Sequence, residues 1–209
     1  SEALATHETF FFRDKTPFEL YENSIAPALK TARAGRSLKI WCAAASSGQE
    51  PYSLAMLAEE GLTPPADILA TDMSGPVLEK ARAGVYTQFE VQRGLPIQRL
   101  VKHFDQAGES WKIKPHIRQK VRFEQANLLE DFARYGKLDV IFCRNVLIYF
   151  DIETKSKVLD RLAAQLADDG YLVLGAAETV VGLTEALRPV PGQRGLYAKP
   201  AKAAKSAAA

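Results

Sequence analysis

Five short strand-like runs recur along the chain: LKIWC (38–42), ILAT (68–71), FEQA (123–126), LDVIFC (138–143) and YLVL (171–174). Most are separated by stretches of helical periodicity, and this alternation limits the fold more than any other feature. A strand, a helix and a further strand in the same sheet require a crossover, so the strands run parallel and helices cover both faces. The expected class is α/β with a parallel sheet. Residues 14–35 have helical spacing at Phe18, Ile25, Leu29 and Ala32, with a break predicted near Ser24–Pro27. A helix over Glu50–Leu62 takes Pro51 in its first turn, where a missing N–H costs nothing. Ser74 is placed to cap a helix through Val77, Leu78 and Ala81, which Gly84 can close. Glu153–Ala167 puts Val158, Leu159, Leu162 and Leu166 on one helical face.

Residues 85–122 break this rhythm. Aromatic and basic residues alternate weakly, and Trp111, Ile113 and the stretch Ile117 to Phe123 predict short antiparallel strands. The expected organisation is one α/β domain with a small insertion here. Gly170 after Asp168-Asp169 reads as a turn, Leu196–Ala198 as a last strand, and 188–195 as the connecting loop. The tail, 201–209, has no core-forming residues and is expected to be disordered.

In such sheets ligands sit beyond the carboxyl ends of the strands, so the residues just past each strand form one candidate site. Past the first comes Ala43–Gln49, whose small side chains allow close backbone approach; a tight strand-to-helix turn would ask for the same residues. Glu50 can serve unpaired N–H groups in the first helical turn or bind a ligand amino group. Past the second comes Asp72, 24 residues after Gly48, where dinucleotide folds hold a ribose diol; the alternative is a turn or N-cap aspartate. Past the third, Asn127-Leu128 offers an amide and a branched apolar group, suited to the edge and face of a base or to an ordinary turn. Past the fourth, Arg144 and Asn145 interrupt an apolar stretch and must find partners. Tyr149 follows as an aromatic with a donor, for the site or for the core. Near the N-terminus, the three aromatics of THETFFFR (6–13) bury a segment beside which Thr9 and Arg13 lie as polar groups. Arg13 can pair with a carboxylate, in the site or on the surface.

Other chemistries lack their signatures. His7, His103 and His116 have no ligand spacing and there is no CxxC, so no metal is expected. Neither GxxxxGK[ST] nor GxSxG occurs, and GxGxxG is missing, which disfavours nucleoside triphosphates and NAD and points to an adenosyl-type methyl donor. A net charge of +2 gives no general signal for nucleic acid, and no apolar run approaches a membrane span. The N-terminus lacks the basic region of a signal peptide. Cys42 and Cys143 lie in apolar runs and read as reduced, buried thiols of a cytoplasmic protein.

Taken together, TFFFR (9–13), IWCAAASSGQEPYSLA (40–55), ILATDMSGPVLEKARAGVY (68–86), VRFEQANLL (121–129), FCRNVLIYFD (142–151) and GYLVLGAAETVVGL (170–183) resemble the catalytic domain of the chemotaxis-receptor methyltransferases, the CheR family. The resemblance covers nearly the whole chain. It implies an α/β, Rossmann-like S-adenosylmethionine-dependent methyltransferase fold and transfer of a methyl group from S-adenosylmethionine to glutamate side chains of chemoreceptor cytoplasmic domains, giving glutamyl methyl esters and S-adenosylhomocysteine. It implies a donor site formed by His7, Thr9, Arg13, Ala43, Glu50, Asp72, Asn127, Leu128, Asn145 and Val146, with Arg13 and Tyr149 beside the reacting groups. It also implies one catalytic domain over 1–200 with a small antiparallel β-subdomain inserted at 87–120, which in some members contacts the receptor, including a C-terminal receptor peptide. His7 stands where the family often has Asn, and Gln49 where it often has Glu. The family usually carries an N-terminal helical domain, which is expected to be absent from this chain. Two other readings remain open: a different methyl acceptor, or a domain that binds donor or product and signals without transferring a methyl.

Overall fold

The computed structural model describes residues 8–201. His7 and tail residues 202–209 lie outside them. The chain opens with a loop and then a helix in three parts: α1 (Thr16–Leu20), a π turn (Tyr21–Ile25) and α2 (Ala26–Ala32). The break predicted near Ser24–Pro27 is therefore a widened turn and not an interruption. Pro27 lacks an N–H, and its ring would meet the carbonyl four residues back in a regular helix; a π turn relieves both problems.

A seven-stranded sheet follows. Its parallel part is built from β1 (Leu38–Cys42), β2 (Ala66–Asp72), β6 (Val121–Gln125), β7 (Leu138–Cys143) and β8 (Leu166–Leu174). Two short strands, β9 (Arg188–Pro189) and β10 (Leu196–Ala198), extend it antiparallel. The order is β6-β2-β1-β7-β8-β10-β9, with β1 and β7 adjacent in the middle. Every residue of β7 is buried, as a parallel strand covered on both faces requires. The crossover helices are α3 (Gln49–Glu59), α4 (Gly75–Ala83) and α8 (Ile152–Gln165). Ser74 Oγ accepts from Val77 N at 3.5 Å, and Gly84 closes α4 at φ +64°, as its sequence predicts. On α8, Val158, Leu159, Leu162 and Ala163 face the core, and Asp151 caps it through Thr154 N at 2.8 Å.

Gly170 does not mark a turn. It lies inside β8, where a Cβ would fall 2.8 Å from the Asp139 carbonyl oxygen, so glycine permits a close ladder contact beside a register shift. The loop expected over 188–195 likewise contains β9.

The insertion holds a second, three-stranded antiparallel sheet of β3 (Val85–Thr87), β4 (Phe104–Ala107) and β5 (Ser110–Ile113), ordered β3-β5-β4. Three helices accompany it: α5 (Gln88–Gln92), α6 (Ile97–His103) and α7 (Pro115–Arg118). Ile117 thus sits on a helical turn that Pro115 initiates, and Val121 already belongs to the main sheet, which corrects the antiparallel strand predicted over 117–123. The alternating basic residues there are partly turned inward. Arg118 donates to the carbonyls of Arg82 (2.7 Å) and Val121 (3.0 Å), and Lys120 pairs with Glu59 at 3.2 Å.

The N-terminal aromatic segment is a strap between insertion and main body. Phe11 packs edge-on against Tyr86 (5.0 Å between centroids) and Phe104 (5.5 Å), and Phe12 N donates to Ser53 Oγ at 3.0 Å on α3. Gly94, at φ +85°, comes so close that a Cβ would lie 1.8 Å from the Phe11 carbonyl oxygen. Gly94→Ala is therefore expected to cost about 1–3 kcal/mol of stability, read by chemical denaturation, because the obstacle is backbone and not a movable side chain.

Candidate active site

Beyond the carboxyl ends of β1, β2, β6 and β7 lies one cavity of about 600 Å³. A volume within the range of about 300–1,000 Å³ suits a ligand of nucleoside size. Thr9, Arg13, Ala43, Glu50, Asp72, Asn127, Leu128, Asn145, Val146 and Tyr149 all line it. The sequence-predicted residues that fall within the described part of the chain are thus brought together.

The loop after β1 is folded by its neighbours. Ala45 N donates to the Thr71 carbonyl and Ser46 N to Asp72 Oδ2, both at 2.8 Å. Ser74 N donates to Asp72 Oδ1 at 2.9 Å. Asp72 therefore plays the turn role open to it in the sequence, yet each oxygen keeps a lone pair for a ligand. Asn127 also plays its turn role, its Oδ1 accepting from Leu129 N at 2.9 Å, so what it offers a ligand is its amide N–H pair. Tyr149 is half exposed and lines the cavity, so it is no core tyrosine.

Glu50 does not cap its own helix. Its Oε2 accepts from Arg144 Nη1 at 2.8 Å. Arg144, 6 % exposed, also donates through Nη2 to Asp14 Oδ2 (2.9 Å) and to the Arg13 carbonyl (3.0 Å). One guanidinium thus joins β7, α3 and the start of the N-terminal helix. Burial pushes the Glu50 carboxyl above the usual carboxylate range, and Arg144 opposes that rise. Burial, aided by the Glu50 charge, pushes the Cys42 thiol well up; both cysteines are buried and unbridged. Arg13 is less engaged: it donates to the Glu8 carbonyl and lies 3.9 Å from Asp14.

Sequence reasoning marks Arg144 as needing a partner but gives it no place in the site. An acidic residue at the predicted strand-to-helix turn, Glu50, is the available signal. Glu178 carries no signal of its own in the sequence. Its carboxylate accepts backbone N–H groups from Asn145 through Ile148, the segment that leads β7 into the cavity wall.

Comparison with known proteins settles the family. The description "CheR methyltransferase, SAM binding domain" matches residues 7–196. The chain belongs to the CheR methyltransferase family. This CheR domain is 44 % identical over 205 residues to a chemotaxis protein methyltransferase of Vibrio parahaemolyticus, covering 95 % of this chain and 74 % of the relative. It is 45 % identical over 192 residues to chemotaxis protein methyltransferase 1 of Pseudomonas aeruginosa, covering 88 % and 70 %. It is thus an S-adenosylmethionine-dependent methyltransferase domain of chemotaxis. The cavity fits that donor: a carboxylate with spare lone pairs at the end of β2, amide donors beside an apolar wall after β6, and a nearly buried acid at the start of α3. Among the described residues no helix is long and apolar enough to cross a membrane, and no group of three or more His, Cys, Asp or Glu could hold a metal ion.

Proposed function

We propose that this CheR domain methylates glutamate side chains on the cytoplasmic domains of chemoreceptors, releasing glutamyl methyl ester and S-adenosylhomocysteine in the cytoplasm. One observation carries the reading. Of the two guanidinium groups that line the cavity among the described residues, Arg144 is engaged at short range by Glu50 and Asp14, whereas Arg13 donates to the Glu8 carbonyl, stands 3.9 Å from Asp14 and meets the Glu8 and Glu50 charges at longer range. A cation so placed suits an anionic acceptor.

In the proposed arrangement Asp72 holds the ribose hydroxyls, and Asn127 with Leu128 meets the adenine. Thr9, Ala43, Glu50, Asn145 and Val146 complete the donor pocket, and Glu50 receives the amino group of the methionine part. S-adenosylmethionine supplies a methyl on a sulfonium, which a carboxylate oxygen attacks in line while the carbon–sulfur electron pair returns to sulfur. A glutamate is already ionised at neutral pH, so no residue need remove a proton. The work of the chain is placement and exclusion of water. Arg13 holds one acceptor oxygen so that the other faces the methyl, and Tyr149, at the rim, shapes the approach. A receptor's C-terminal peptide is proposed to dock on the inserted β-subdomain, whose outer strands β3 and β4 each present an edge.

The chemistry is tested by incubating the protein with methyl-labelled donor and a receptor cytoplasmic fragment, then treating the product with mild base. Volatile labelled methanol is expected; a base-stable label on the fragment would refute the ester. Arg13→Ala should leave affinity for S-adenosylhomocysteine within about tenfold (roughly 1.4 kcal/mol) while lowering methyl transfer by about a hundredfold. Equal losses in both would make Arg13 a donor ligand only.

Acidity offers a second check. Glu50 must be ionised to receive an amino group, and burial raises its pKa. Product affinity should therefore fall on acidification from a higher pH than an ordinary carboxylate would impose. Calorimetry across that range should show the fall in the unaltered protein and its loss in Glu50→Gln.

A further inference from the structure

The chain leaves β7 through Asn145 at φ +61°, a left-handed conformation unfavourable for most residues with a side chain. From there Val146 leads into a single 3₁₀ turn, Leu147–Tyr149, that carries Tyr149 to the cavity. Such a turn leaves consecutive backbone N–H groups pointing the same way, a concavity that attracts an anion. The anion is internal. Glu178 Oε1 accepts from Asn145 N (2.6 Å) and Gly175 N (2.9 Å). Its Oε2 accepts from Leu147 N (2.7 Å), Val146 N (3.1 Å) and, more weakly, Ile148 N (3.3 Å). Glu178 is 8 % exposed and does not line the cavity. Its own backbone is held by Tyr197 Oη on β10 (3.3 Å) and by Gly175. Space around the carboxylate is closed: a Cβ on Gly175 would fall 2.5 Å from Asn145 Oδ1 and 2.8 Å from Glu178 Oε1.

We infer that Glu178 is a positioning residue for methyl transfer: its carboxylate sets the backbone of Asn145–Ile148, and through it the placement of Asn145 and Tyr149 at the cavity. The inference rests on the proposed donor-pocket role of Asn145 and Val146, and not on which group accepts the methyl. A carboxylate suits this task because both its oxygens accept, so five N–H groups can share one side chain. An amide has one accepting oxygen, and its NH₂ would face N–H donors. Water could fill the concavity in the absence of Glu178 but would not tie it to β10.

Glu178→Gln tests this with little change of volume. One charge-assisted set of bonds is lost, so binding of S-adenosylhomocysteine should weaken by about tenfold or more, with a turnover loss at least as large at saturating donor. Amide hydrogen exchange should accelerate at 145–148 while β1 and β2 keep their protection. Should the Gln variant fail to fold, Glu178→Asp keeps the charge, shortens the reach by one methylene and should show the same pattern. Product affinity and turnover both near the unaltered values would overturn the inference. So would faster exchange spread evenly over all strands, the mark of general destabilisation, or lost affinity with exchange at 145–148 unchanged. Absence of methyl transfer to a receptor by the unaltered protein would instead refute the glutamate reading and leave the product-affinity result standing.

Discussion

Replacing Arg144 by Met is expected to lower stability by about 3–5 kcal/mol, because it strands the largely buried Glu50 carboxylate without its partner. The effect should depend on pH. With the guanidinium gone, burial holds the folded-state pKa of Glu50 above its unfolded value against the smaller opposing effects of Cys42 and Arg13. The folded state then binds the proton more tightly, so the variant gains stability as pH falls through that pKa to the unfolded value and loses it as pH rises back through it. Adding Glu50→Gln should recover much of the loss, since no uncompensated buried charge remains. Denaturation of the two single variants and the double variant at two pH values completes the cycle. An Arg144→Met variant as stable as the unaltered protein at neutral pH would mean that water already reaches Glu50.

Asp72→Ala is expected to weaken binding of S-adenosylhomocysteine by about 2–5 kcal/mol. Part of that loss is architectural, because Asp72 also accepts from Ser46 N and Ser74 N and so holds the loop after β1 against the loop after β2. Asp72→Asn separates the two roles. The amide can still serve one backbone N–H, but it carries no charge and has a single accepting oxygen for the ribose. Calorimetry should place it between the unaltered protein and Asp72→Ala. Full affinity in Asp72→Ala would remove the ribose assignment.

How much of the fold is legible in the sequence depends on how local each signal is. β1 and β7 are buried on nearly all sides, so LKIWC and LDVIFC are nearly unbroken apolar words, and their bounds agree with the structure. Helix α6 is illegible because its period is scrambled: Ile97 and Val101 are exposed while Leu100 and His103 are buried. Between Trp111 and Phe123 the pattern suits either extended or helical backbone, and only the pairing of β5 with β3 and β4 and of β6 with β2 separates them. Within the site, residues at strand ends are legible because a parallel sheet fixes where its ligands lie. The roles of Arg144 and Glu178 are not, because they depend on partners 94 and about 30 residues away, brought near only by the assembled sheet. No spacing rule reports a side chain whose work is to hold another segment's backbone.

The strap also limits how the parts of this protein can be exchanged. Phe11 fills a slot whose walls, Tyr86 and Phe104, come from the insertion, while Gly94 meets the strap's backbone with no room to spare. A subdomain transplanted from another member keeps this packing only where its walls match Phe11 and its backbone leaves the strap the same room, so the unit of exchange is the insertion together with the strap. Chimaeras that carry the other member's 9–13 segment together with its insertion should express and fold where those moving the insertion alone do not. The same geometry couples substitutions at Phe11 to substitutions at Gly94 and Phe104, far along the chain, so their effects on stability are expected not to add.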